Sequence, residues 1–318
     1  MFGFLSRARP KASRAGAPAD EASSRRRSQL PTDLIRKIRR IEISTKRLVD
    51  QGVAGDYHSA FKGRGVEFAE VRPYTAGDEV RAIDWNVTAR TGVPYVKRYI
   101  EERDLTVFLG VDVSGSLDYG SRTILKRELA AELTALLSFA AVRNQDRVGA
   151  ALLSDRMEVF LPPDRRRTHV LRIVREVLMR QAAKQTDLDQ ALWPVLKTLK
   201  QRSVLFLISD FLDVQLGSAI KSAAARHDLI LIELFDPSDH GPPAGGPVVL
   251  RDAETGRVVT VGGRRHAAEH AKARLRQRHE LLRRVRQLGV DHLEIRTDRP
   301  YLGTLVRFFE MRRKRLTR

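Results

Sequence analysis

The 318-residue chain contains no cysteine. That excludes a disulfide framework, a thiol nucleophile and any thiolate metal site, and it agrees with a reducing, cytoplasmic setting. No apolar run approaches the ~18–20 residues needed to span a bilayer. The opening Met1-Phe2-Gly3-Phe4-Leu5 is too short for the apolar region of a signal peptide before basic residues begin. There is no Gly-rich loop followed by Lys-Ser/Thr, so the chain is not expected to hydrolyse ATP itself. No internal repeat is visible. Negative charge is scarce: 39 Asp and Glu stand against 58 Lys and Arg, a net charge of +19. Such an excess favours acidic partners, nucleic acid or anionic membrane surfaces, but by itself it argues solubility and non-specific association.

What is present is enough apolar sequence, 42%, for a sizeable core. Residues 1–30 are rich in Ala, Ser, Arg and Pro without apolar periodicity, and read as a disordered basic arm. Residues 31–103 read as a helix followed by a small β-rich module. The helix opens at Pro31-Thr32-Asp33 with Leu34, Ile35, Ile38, Ile41 and Leu48 on one face. Residues 104–318 alternate strand and helix, which predicts a doubly wound, mostly parallel α/β sheet covered on both faces. Within that region Val148–Leu153 and Met157–Leu161 read as strands of a tight hairpin. Val248–Val261 reads as a hairpin turning at Glu254-Thr255-Gly256. A long helix over Arg264–Leu288 stops at Gly289, and Pro300 is expected at N1 of a last helix.

The most informative stretch is the apolar run Thr106–Val111 ending in Asp112-Val113-Ser114-Gly115-Ser116. A buried strand that runs into an acid and two hydroxyls presents hard oxygen donors where open α/β folds keep their sites. Oxygen ligation suits Mg²⁺ or Mn²⁺, not zinc. Two later positions complete a set: Thr186, in a loop before a helix, and Asp210, after the apolar strand Leu205–Ser209. Asp112, Ser114, Ser116, Thr186 and Asp210 together supply two carboxylates and three hydroxyls, which balance a divalent ion and leave a coordination position open. Taken alone, the acid-x-Ser-x-Ser string also suits a helix N-cap.

This constellation resembles the metal-ion-dependent adhesion site of von Willebrand factor A-type domains, over about Arg103 to the C-terminus. The resemblance implies Ser114, Ser116 and Thr186 as direct ligands and Asp112 and Asp210 as ligands directly or through water. It also implies an acidic residue of a partner at the free position. The preceding strings Phe61–Phe68, Val71–Tyr74, Gly77–Asn86, Lys97-Arg98 and Glu101–Arg103 resemble the signature of the domain-of-unknown-function-58 family, which pairs such a module with an A-type domain. That resemblance implies an adaptor working with a MoxR-type AAA+ ATPase. Within the signature, Arg72, Asp78, Arg81, Asp84 and Glu102 are expected to form ion pairs tying the module to the A-type domain, and Trp85 is expected in the core.

Enzyme classes fit less well. A haloacid-dehalogenase phosphatase needs an acid two residues after its first Asp, where this chain has Ser114. A metal nuclease needs carboxylates clustered around two ions. A serine nucleophile needs a base, and none of the eight histidines has a sequence context that pairs it with Ser114 or Ser116. The expectation is a non-catalytic, Mg²⁺-dependent interaction module. The alternative is a nucleic-acid or anionic-membrane binder acting through the basic arms, with a metal-dependent phosphohydrolase further behind.

Overall fold

The computed structural model describes residues 32–61, 67–100, 105–120, 124–180, 186–212, 216–240, 248–251, 258–261 and 264–316. The basic arm at residues 1–30, residues 62–66 of the signature, Glu102 and the tip of the 248–261 hairpin lie outside them.

A six-stranded sheet organises the molecule. Its strands are β3 (Thr106–Asp112), β4 (Arg147–Leu153), β5 (Met157–Asp164), β6 (Val204–Ser209), β7 (Asp228–Phe235) and β10 (Asp291–Arg296), in the order β10-β7-β6-β3-β4-β5. All neighbours are parallel except the hairpin partner β5, which runs antiparallel to β4. From β3 the chain moves outward to β4 on one side and later returns to β6 on the other. The strand order therefore reverses at β3, the position at which open sheets open a crevice at their carboxyl edge. The expected doubly wound, von Willebrand factor A-like architecture is the one observed.

Alternation along the strands feeds two cores. On one face Val107, Leu109 and Val111 of β3 join Phe206 and Ile208, Ile230 and Ile232. On the other, Phe108 joins Leu205, Leu207 and Leu231 beneath α6 (Leu188–Thr198) and α7 (Ser218–Arg226). The first face is covered by α4 (Lys126–Arg143), α5 (Arg167–Met179) and α9 (Leu302–Leu316). Helix α4 is buried on almost every side, because a further layer lies over it. A helix apolar all round belongs inside.

That outer layer is α1 (Thr32–Leu48), a π-turn (Val49–Val53) and α2 (Ala54–Ala60). Ile41, Val53, Tyr57 and Phe61 are buried in the same core as Leu129 and Phe309. Tyr57 Oη donates to Asp146 Oδ2 at 2.9 Å, and the Phe61 ring meets Phe206 and Phe309 edge-on at 5.6 and 5.7 Å. Ile35, expected on the buried face, is 49% exposed. The inward stripe is set by Ile41, Thr45 and Val49, one turn apart, and Ile35 falls outside it.

The β-rich module is a hairpin of β1 (Glu67–Pro73) and β2 (Tyr95–Ile100) joined through α3 (Trp85–Thr91). Trp85 is 67% exposed at the first position of α3, contrary to its expected place in the core. The partners described for two of the signature's charged residues lie within the module. Arg72 grips Asp78 with both terminal nitrogens, at 2.8 and 2.7 Å, within the module. Asp84 caps α3 by accepting from the Asn86 and Val87 amides. Both residues thus take part in local turns of the module.

A second hairpin pairs β8 (Val248–Arg251) with β9 (Val258–Val261). Helix α8 (Arg264–Leu288) ends at Gly289, whose φ of +63° is the left-handed cap that glycine adopts without strain. Pro300 does not stand at N1. Tyr301 O accepts the first helical amides, from Thr304 and Leu305, so the helix starts at Leu302 and Pro300 belongs to the turn before it.

Candidate metal centre

The carboxyl edge of β3 sits between those of β4 and β6. Asp112 ends β3 and is buried, and both its oxygens are engaged. Oδ1 accepts the Ser114 amide at 2.8 Å, and Oδ2 accepts the Ser209 hydroxyl at 2.6 Å. The turn that follows is tied to β4 by Val113 N donating to Leu153 O, then coils as a 3₁₀ turn over Gly115–Asp118. This brings the Ser114 and Ser116 hydroxyls within 3.0 Å of each other.

Asp210 follows the last residue of β6. Its Oδ1 accepts the Leu212 amide, and Phe211 between them has a φ of +49°. A left-handed phenylalanine is a strained backbone, and such strain clusters at functional sites. The other Asp210 oxygen lies 3.0 Å from Lys126 Nζ, which also donates to Asp239 Oδ1 at 2.7 Å. Thr186 lies on the opposite side: the Asp187 amide donates to Ser154 O just beyond β4, and the Asp187 side chain caps α6. Three stretches of sequence thus reach one edge, with Asp112 in the middle, Asp210 on the β6 side and Thr186 on the β4 side.

The electrostatics separate the two strand-end acids. Burial and the neighbouring charge of Asp210 push the Asp112 carboxyl up to about 6, against the hydrogen bonds from Ser209 and Ser114. Among the described residues no basic side chain is bonded to it. Asp210 instead faces the ammonium of Lys126. Burial works against that charge, but Asp210 and Asp239 more than offset it, so the Lys126 pKa is raised. Among the described residues no group of three His, Cys, Asp or Glu side chains is placed to hold a metal ion. A cation here would therefore depend on hydroxyls beside Asp112, a hard-oxygen donor set of the kind Mg²⁺ and Mn²⁺ accept with several waters retained.

Three participants escaped the sequence reading: Ser209, Lys126 and Asp239. Each left a signal. Lys126 is a cation in the first turn of an apolar helix, where the helix dipole opposes it. Asp236-Pro237-Ser238-Asp239 repeats, after β7, the strand-then-acid pattern seen at β3 and β6. Asp236 is buried there, accepting from Thr297 Oγ1 at 2.6 Å. Beside Asp210 and Asp239 a cleft of about 520 Å³ opens against α8, lined also by Phe235, Arg274, Arg278 and Arg284.

These features define a doubly wound α/β protein of the von Willebrand factor A-like kind, with an oxygen-rich turn at the carboxyl edge of its central strand. The chain belongs to the DUF58 family: the profile described as "Protein of unknown function DUF58" matches residues 70–281. It is 34% identical over 282 residues to the uncharacterized protein Rv1480 of Mycobacterium tuberculosis, covering 87% of this chain and 89% of that one. The uncharacterized protein Mb1516 of Mycobacterium bovis matches to the same extent. Among solved structures, the conserved hypothetical protein BatB from Bacteroides thetaiotaomicron aligns over 66% of this chain and 99% of its own, at 15% identity and a TM-score of 0.39. The SpRpn10 VWA domain aligns over 64% and 94%, at 9% identity and a TM-score of 0.38. At these scores it is the strand order that defines the fold.

Proposed function

We propose that this protein is a non-catalytic interaction module whose carboxyl-edge turn binds Mg²⁺ or Mn²⁺ and, through it, an acidic residue of a partner protein. The observation that carries this reading is Asp112: a buried carboxylate with no basic partner among the described residues, beside two hydroxyls that already face each other. A divalent cation would supply the missing positive charge, and Ser114 and Ser116 would fill coordination positions without adding negative charge. Thr186 and Asp210 would complete the set from either side. The resemblance to von Willebrand factor A-type sites supports a partner Asp or Glu at the open position, and the resemblance to the DUF58 signature supports a MoxR-type AAA+ ATPase as that partner. A cytoplasmic setting belongs to the same reading. A serine-nucleophile enzyme finds no support: among the described residues no histidine is bonded to either hydroxyl.

The test is recovery of partners from a lysate of the source cells with the full chain as bait, in Mg²⁺ and in EDTA, using wild type and a Ser114→Ala, Ser116→Ala double variant. A partner retained only by wild type in Mg²⁺ supports the proposal. The same partners in every lane remove it.

A second reading rests on α1. Its outer face carries Arg36, Arg39, Arg40, Lys46 and Arg47, all exposed, a stripe suited to nucleic acid or an anionic membrane surface. Binding of that kind weakens steeply with salt and is indifferent to EDTA.

A further inference from the structure

The metal reading leaves Lys126 unexplained. Its ammonium is buried at the carboxyl edge of the sheet, between Asp210 on β6 and Asp239 in the 3₁₀ turn Pro237–His240 after β7. Nothing in the fold requires a charge at this place. Beyond its first turn α4 is mostly apolar and packed, and a leucine or methionine at position 126 would extend that packing. A cation in the first turn opposes the helix dipole, and a buried ammonium is tolerated only when carboxylates surround it. The residue is thus held at a cost, against the same acid that the metal reading assigns to the cation.

We infer that Lys126 is a positioning residue, an internal cation that holds Asp210 away from direct ligation and keeps divalent-metal affinity low. This inference rests on the metal reading. It deepens it by dividing the roles of the two strand-end acids. Asp112, whose Oδ1 accepts the Ser114 amide of the serine turn and whose Oδ2 accepts only the neutral Ser209 hydroxyl, is the direct ligand. Asp210, bonded to Lys126, reaches the metal through water. The arrangement has a consequence for binding. With one of two carboxylates already neutralised, the protein alone supplies too little negative charge to hold a divalent ion firmly. The ion alone is then held weakly and is held firmly when a partner's carboxylate joins it, so metal and partner strengthen each other's binding.

Removing the internal cation should release Asp210. Isothermal titration of the full chain with Mn²⁺ is expected to show at least about tenfold tighter binding by Lys126→Met than by wild type, because a buried unit charge so close to a divalent ion interacts with it strongly. Lys126→Arg, which keeps the charge, should stay close to wild type. Asp239→Asn should act in the opposite direction, weakening Mn²⁺ binding several-fold, because it commits Lys126 wholly to Asp210. Folding of each variant is checked by circular dichroism.

A folded Lys126→Met with unchanged or weaker affinity overturns the inference. Should that variant fail to fold, Asp239→Asn decides, and unchanged or tighter binding by it overturns the inference. The proposed function fails separately. If wild type gives no heat with Mn²⁺ but Lys126→Met does, the metal reading of the native chain falls while the role of the lysine stands. If no variant gains affinity over a silent wild type, both fall.

Discussion

Asp112 has an ordinary carboxyl in an unfolded chain and one pushed up to about 6 in the folded protein. The folded state therefore holds the proton more tightly than the unfolded one. The contribution of this one group to stability is greatest below about pH 4, falls as pH rises through the interval between the two values, and levels off above pH 6. The ionised, metal-free form carries a penalty of roughly 3 kcal/mol, the free-energy equivalent of that displacement. Asp112→Asn removes the charge while keeping an oxygen for the Ser114 amide. In metal-free buffer this variant is expected to be more stable than wild type at pH 8, by up to about 3 kcal/mol, and to lose that advantage at pH 4. Urea denaturation at the two pH values measures it. Equal destabilisation at both would mean that the hydrogen bonds to Asp112 outweigh the burial of its charge.

Elements show what the sequence disclosed and what it withheld. The strands of the central sheet were legible because β3, β4, β6 and β7 are near-continuous apolar runs bounded by turn residues, as strands buried on both faces must be. Asp112, Ser114, Ser116 and Asp210 stood out because each closes or follows such a run. The outer helices were less legible. Periodicity located α1, but that it covers α4 depends on Tyr57, Phe61 and Phe309 meeting across long sequence separations. Lys126 was hidden for the same reason: only the folded chain brings it to Asp210 and Asp239. Trp85 misled through composition, since an aromatic residue is usually packed, whereas here the capping of α3 by Asp84 decides the local geometry. The two neighbours thus separate packing from capping. Trp85→Ala should leave stability unchanged within about 0.5 kcal/mol, as exposed substitutions do. Asp84→Ala should weaken α3 by about 1 kcal/mol, read as faster hydrogen exchange at the Asn86 and Val87 amides. Faster exchange in Trp85→Ala would show that the indole supports the hairpin after all.

Across the molecule, acidic side chains are largely consumed by structure. Arg312 bridges Asp228 and Asp291 at 2.5 and 2.6 Å while its guanidinium lies over the Phe61 ring, locking α9 to β7, β10 and the outer layer. Glu233 is engaged by Arg278 and His292. Against a net charge of +19, Asp112 is a buried carboxylate with no basic partner among the described residues. If a divalent cation binds there, it binds the folded state alone, because Asp112, Thr186 and Asp210 converge only when β3, β6 and the segment before α6 are assembled. Binding must then raise global stability by mass action, by about 2.7 kcal/mol at a hundredfold excess over Kd. With affinity held low, as Lys126 implies, that gain should appear at millimolar Mg²⁺ as a rise in Tm of several degrees. Mn²⁺ should produce it at a lower concentration, and the Ser114→Ala, Ser116→Ala double variant should lose it. Calcium chloride at matched ionic strength controls for screening of the surplus arginines: Ca²⁺ prefers more ligands at longer distances, whereas screening follows ionic strength alone. A melting temperature that rises equally with all three salts, in wild type and double variant alike, would assign the effect to surface charge and leave the serine turn without a metal.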